Sequence, residues 1–241
     1  MRAYFPEWLD LSGVVKPEDG EILDTLLEED SPGYYSANVD SEPVLLGERF
    51  VITSGSAGDP PNPTRIPLSL PFSTAFGSGR HESTQLMVEA METYLQPGGI
   101  IIDAGCGSGI LSEVARHLGA STVVACDIHT EAMQVTRQTC PTAALLLGSV
   151  DAVQSSAADL VLANISAKVI DALADDLLRV AKPDGLLLLS GFIQDRTPER
   201  FRPEKILERN GWLCWICRPE LVPGDSPSSG RATQPFDACW W

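Results

Sequence analysis

The sequence predicts an α/β chain: a mostly parallel sheet of seven strands, covered by helices on both faces, with an antiparallel last strand. Three observations predict it. From Ser83 onward, short apolar runs alternate with helical segments, the pattern of strands joined by helical crossovers. One junction, over 100–118, runs strand, glycine-rich turn, helix. Near the C-terminus two strands follow each other with no helix between them, which points to antiparallel pairing.

Residues 1–45 read as an acidic N-terminal arm. Within it, 17–28 carries Ile22, Leu23, Leu26 and Leu27 at helical spacing, and Ser31-Pro32-Gly33 stops that helix. Residues 46–82 read as linker strands and a covering loop. Here 43–53 is extended, 54–63 is a Gly/Pro-rich loop, and 65–70 is a second short strand, hairpin-like in its arrangement. Residues 83–241 form the main unit. A helix over 84–95 is broken by Pro97-Gly98-Gly99. A strand over 100–103 leads to a helix over 109–118 and a strand over 122–127. The helix over 130–139 has Thr130 as its expected cap. Strands follow over 143–147 and 159–163. One helix spans 167–181, with Val169, Ile170, Leu173, Leu177 and Val180 on one side. Pro183-Asp184-Gly185 turns into a strand over 186–189. A short helix is expected over 204–210, then the last two strands over 212–218 and 235–241.

The composition narrows the partners. The chain has 241 residues, with 33 acidic and 17 basic side chains and a net charge of −16. Such a surface repels phosphate backbones, and no Lys/Arg cluster offsets it, so no nucleic-acid partner is expected. The charge suits solubility, or attraction to a basic protein. No apolar run approaches the roughly 20 residues that a membrane helix needs. The first residues do not read as a targeting peptide, so a cytoplasmic location and no membrane partner are expected. The six cysteines sit mostly in apolar runs and read as reduced, buried thiols. Cys214 and Cys217 match C-x-x-C, but in a strand residues three apart face opposite sides. No metal site is expected there.

The turn Asp103-Ala104-Gly105-Cys106-Gly107-Ser108-Gly109 is the strongest chemical signal. Its glycines remove side chains where the backbone turns tightly and approaches a ligand. In open α/β sheets ligands sit beyond the carboxyl ends of the strands. Asp127, about twenty residues on, ends the next strand and can accept from both hydroxyls of a ribose. A nicotinamide dinucleotide would ask for G-x-G-x-x-G, and Ile110 stands where the last glycine belongs. Asp103 fits a methionine-bearing cofactor better, since its carboxylate can orient the turn or receive an amino group. The alternative is that the glycines only pack a strand against a helix.

This block resembles motif I of class I methyltransferases, and the wider chain resembles the PrmA-type ribosomal protein methyltransferases. Four stretches carry the likeness: Ala75-Phe-Gly-Ser-Gly-Arg-His-Glu-Ser-Thr84, Asp103 to Leu111, Ala163-Asn-Ile-Ser-Ala167 and Lys182-Pro-Asp-Gly-Leu-Leu-Leu-Leu-Ser-Gly191. The resemblance implies a Rossmann-like class I methyltransferase fold, with 83–241 as the domain that binds S-adenosylmethionine. It implies that Phe76, His81 and Thr84 fold over the cofactor, and that Asp103, Gly105, Cys106 and Gly107 contact its methionine part. Asp127 and Ile128 would hold the ribose and flank the adenine, with Ser149 at the adenine edge. Asn164 and Ile165 would stand where the methyl group is delivered. Each has a plainer reading: Phe76 as packing, His81 and Thr84 as helix caps, Asn164 as a turn residue. The expected activity is methylation of amino groups on a protein, ribosomal or otherwise. A small-molecule methyltransferase is the alternative, with the arm as a lid. PrmA-type enzymes carry a separate substrate-recognition domain before the linker. Here the acidic arm, with Trp8, Tyr34 and Tyr35, is expected to cover the site instead.

Overall fold

A computed structural model describes residues 2–4, 21–22, 43–53, 64–71 and 79–220. The main sheet starts from β6 (Ile100–Ala104) at its centre, buried on both faces. Side chains alternate across it, as a strand requires. Ile101 joins one core with helix α1 (Glu82–Tyr94) and helix α2 (Ile110–His117). Ile102 joins the other with helices α4 (Ala167–Ala172) and α5 (Ala174–Val180). β7 (Thr122–Asp127) and β8 (Ala144–Leu147) lie parallel on one side of β6, with helix α3 (Thr130–Thr139) between them in the chain. On the other side β9 (Ala158–Asn164) and β10 (Ala181–Ile193) continue in parallel. Strand order therefore reverses between β6 and β9, and in open α/β sheets such a switch point is where ligands bind, beyond the carboxyl ends of the strands.

β12 (Trp212–Cys217) runs antiparallel to β10, and β11 (Lys205–Arg209) antiparallel to β12. These seven strands are the expected mixed sheet. The seventh comes from a different segment than expected: within 204–210, where a helix is expected, Lys205–Arg209 is strand. Asn210 (φ 51°) and Gly211 (φ 82°) both adopt left-handed backbone, the requirement of a tight two-residue hairpin. Five residues with such a turn behind them gain more from pairing than from an isolated helical turn. The expected strand over 235–241 lies outside the described residues.

Two further pieces extend the sheet to nine strands among the described residues. β1 (Arg2–Tyr4) pairs antiparallel with β8, and β2 (Glu21–Ile22) pairs parallel with β1. The helix expected over 17–28 is thus not helical at Glu21 and Ile22; its other residues lie outside the described set. A free sheet edge offers ladder hydrogen bonds, whereas a helix of that length is marginal without a packing face. The linker is a separate three-stranded sheet. β3 (Val44–Leu46) and β4 (Phe50–Thr53) form the hairpin, and β5 (Ile66–Ser69) adds to β4 in parallel rather than as a hairpin arm. The single helix expected over 167–181 is divided at Leu173 into α4 and α5, and its end, Ala181, is already strand.

Candidate functional site

At the carboxyl end of β6 the backbone turns through Gly105, whose N–H, with that of Cys106, donates to the Cys126 carbonyl at 2.8 and 3.0 Å. Gly105 has φ +76°, and a Cβ there would stand 2.5 Å from Ile165 Cγ2. Glycine is needed twice over, for the left-handed backbone and for the space. Ile165 is confined from its other side as well. Its N–H donates to Ser190 O at 3.0 Å, and a Cβ on Gly191 (φ +94°) would meet the Ile165 carbonyl oxygen at 2.5 Å. The switch-point corner is therefore built from three close backbone approaches, after β6, β9 and within β10.

Asp103 is buried at 1% exposure. Ser112 Oγ on α2 donates to its Oδ2 at 2.7 Å, while Oδ1 is buried with no hydrogen-bond partner among the described residues. Burial pushes this carboxyl up to about 6; the Ser112 hydroxyl lowers it and the charge of Asp127 raises it further. The Cys106 thiol is buried and pushed well above its ordinary value by that burial, so it is neutral and unreactive. Thr136 on α3 clasps the turn: its Oγ1 donates to Gly107 O at 3.1 Å and lies 3.3 Å from Cys106 Sγ.

Asp127 ends β7 facing that turn. Gly107 N–H donates to its Oδ2 at 3.1 Å, and the His129 N–H to its Oδ1 at 3.0 Å. His129 is also the N-cap residue of α3, without a side-chain cap bond, so Thr130 is the first helical residue and not the cap. Ile128 projects outward at 57% exposure, unusual for a side chain of its kind. Ser149 follows Gly148, whose N–H donates to the Asp127 carbonyl at 2.8 Å. Asn164 ends β9 and donates through Nδ2 to Thr84 Oγ1 at 3.4 Å, tying the corner to the first turn of α1.

His81 is the N-cap of α1. Its Nδ1 accepts from Ser83 N–H at 3.2 Å, and its ring meets Trp212 edge to face at 4.3 Å between centroids. The structure thus joins Asp103, Gly105, Cys106, Gly107 and Asp127 around one turn, and Thr84, Asn164 and Ile165 at its flank. It turns His81 toward Trp212. Phe76 lies outside the described residues. Ser112, Thr136, His129 and Trp212 escape the sequence reading. Ser112 leaves one trace, a hydroxyl on an otherwise apolar helix face beside Leu111, Val114 and Ala115. A polar cleft of about 520 Å³ opens at the opposite end of the strands, lined by Gln96, Asp159, Lys182 and Arg218 among others, and none of the expected site residues borders it.

Cys214 packs into one core and Cys217 into the other, on opposite faces of β12 as expected. Among the described residues no group of side chains is placed to hold a metal ion, and no helix is long and apolar enough to cross a membrane.

Comparison with known proteins bears on this arrangement. Residues 33–219 match the family model for ribosomal protein L11 methyltransferase (PrmA). The ribosomal protein L11 methyltransferases of Burkholderia multivorans and Burkholderia ambifaria are each 35% identical over 182 residues, 72% of this chain and 60% of theirs. The chain thus spans 60% of the length of these curated relatives. A ribosomal protein L11 methylase structure from Lactobacillus delbrueckii subsp. bulgaricus is similar at a TM-score of 0.66 and 26% identity, covering 73% of this chain and 98% of that one. The matched region includes the linker sheet and the main sheet from β6 through β12, and the chain belongs to the ribosomal protein L11 methyltransferase (PrmA) family.

Proposed function

We propose that the chain transfers a methyl group from S-adenosylmethionine to amino groups of a protein, with a ribosomal protein as the first substrate to test. One observation carries the reading: at the switch point a glycine turn stands between two carboxylates, one ending in a buried acceptor without a hydrogen-bond partner among the described residues and one at the end of the next strand. The residues fit the cofactor. A buried, unpaired Asp103 Oδ1 is the atom that a positive amino group satisfies, and Gly105 leaves no Cβ over the turn. Asp127 would take the ribose hydroxyls, with Ile128 and Ser149 toward the adenine. The family match supports methyl transfer, and the printed names of the relatives support a ribosomal protein as the substrate class.

When bound, the cofactor supplies a methyl group already activated on a sulfonium. What remains for the protein is alignment and the exclusion of water. Asn164 is suited to alignment. Its Nδ2 is spent on Thr84, so the carboxamide oxygen is the end available to accept an N–H from an incoming amine and turn its lone pair toward the methyl. Ile165, pinned between Gly105 and Gly191, gives that corner an apolar wall. His81 offers no base through Nδ1, which is spent on Ser83.

The test is transfer of a labelled methyl group from S-adenosylmethionine to isolated bacterial ribosomal proteins, in parallel with a panel of small amines. Label on a lysine or N-terminal amine of a ribosomal protein is expected. Label confined to small amines would refute the protein substrate and leave the cofactor standing.

A further inference from the structure

Asp127 carries more donors than a ribose-binding carboxylate can keep. Gly107 N–H donates to Oδ2 at 3.1 Å; His129 donates twice to Oδ1, through its backbone N–H and its Nδ1, each at 3.0 Å. A carboxylate only accepts, so Nδ1 carries the hydrogen in this contact. Two oxygens offer about four lone-pair positions. Three are taken among the described residues, and a ribose brings two hydroxyls. One donor has to leave. The backbone N–H groups are fixed by the glycine turn and by the start of α3. The imidazole is a side chain at 59% exposure that swings clear by rotating about its own bonds, whereas the Asp127 side chain beside it is only 10% exposed.

We propose that the His129 ring is a displaceable latch on Asp127, opened by the ribose of an adenosyl cofactor. The inference rests on the reading that Asp127 takes that ribose. It gives the sugar hydroxyls a distinctive accounting. A ligand with both hydroxyls fills the open position and displaces the ring, so it gains two acceptor contacts and the protein loses one. A 2′-deoxy ligand fills only the open position and leaves the latch shut. With His129 present, the second hydroxyl therefore adds little to affinity. Without it, the second hydroxyl counts in full.

The experiment is calorimetric binding of S-adenosylhomocysteine and its 2′-deoxy analogue to the wild-type chain, His129→Ala and His129→Phe. The side chain is exposed and makes no cap bond, so both variants keep the fold's contacts. His129→Ala is expected to bind S-adenosylhomocysteine about three- to tenfold tighter than wild type, the effect of one hydrogen bond. The 2′-deoxy analogue is expected to bind both alike. His129→Phe, which keeps a ring without a donor, is expected to follow Ala. Nitrogen NMR of the three histidines gives a readout without turnover: one ring in the Nδ1–H form in the free protein, released on saturation with ligand. Weaker or unchanged binding by His129→Ala, with wild type binding normally, overturns the latch alone. Absence of binding by every form overturns the latch together with the functional reading.

Discussion

Asp103 is held in an environment that favours its neutral form, and this makes a sign prediction. Its carboxyl is raised from 3.8 to about 6, chiefly by burial. The stability it contributes is present below about pH 4 and is lost as pH rises through about 6, to the extent of about 3 kcal/mol. Asp103→Asn keeps an acceptor for Ser112 and carries no charge. Its melting temperature is expected to gain on wild type as pH goes from about 4 to about 8, by several degrees at this chain length. A melting difference that stays constant with pH would refute the assignment. The sequence displays Asp103, Asp127 and the glycines because chain neighbours make the turn. It hides Ser112 and Thr136 because their partners, in β6 and in the turn after it, lie nine and 29 residues away. For His81, expected over the cofactor with capping as the plainer reading, the cap is what its place before the helix gives, while its contact with Trp212 depends on where the antiparallel β12 begins.

The helices and strands were read best where they are long and periodic. β7 and α3 fall where the spacing puts them, because both repeat one pattern without interruption. β11 was misread because Lys-Ile-Leu-Glu-Arg suits a helix by composition, and only the Asn210-Gly211 pair behind it announces a hairpin. The hairpin of the linker sheet is tied to α1 by one side chain. Glu92 accepts from Glu48 N–H at 2.9 Å and from Arg49 N–H at 2.8 Å, in the turn between β3 and β4. Glu92→Ala removes that acceptor and leaves two backbone donors to water. About 1 kcal/mol is expected to go with it, a fall of about 2–4 °C in melting temperature. Deuterium exchange localised to 44–53 would accompany the loss. Unchanged protection there would mean that the hairpin is held by its apolar face alone, through Leu46 and Phe50.

Among the described residues one sheet separates two cores, and its order reversal sets the one place where two parallel strands diverge at their carboxyl ends. That feature was legible from the sequence as an alternation of strands and helices around a glycine turn. The additional strands β1 and β2 were not, because pairing at a sheet edge depends on the edge as much as on the segment that joins it. The net charge of −16 suits solubility and disfavours partners of like charge. All of this functional reading depends on the switch point taking an adenosyl cofactor. The most direct measurement is calorimetric titration of the protein with S-adenosylmethionine, beside NADH and beside Asp127→Ala. Saturable binding of S-adenosylmethionine, weakened at least tenfold by the substitution and absent for NADH, is the predicted result. Binding of NADH in its place, or no binding of S-adenosylmethionine by a folded wild-type chain, would contradict it.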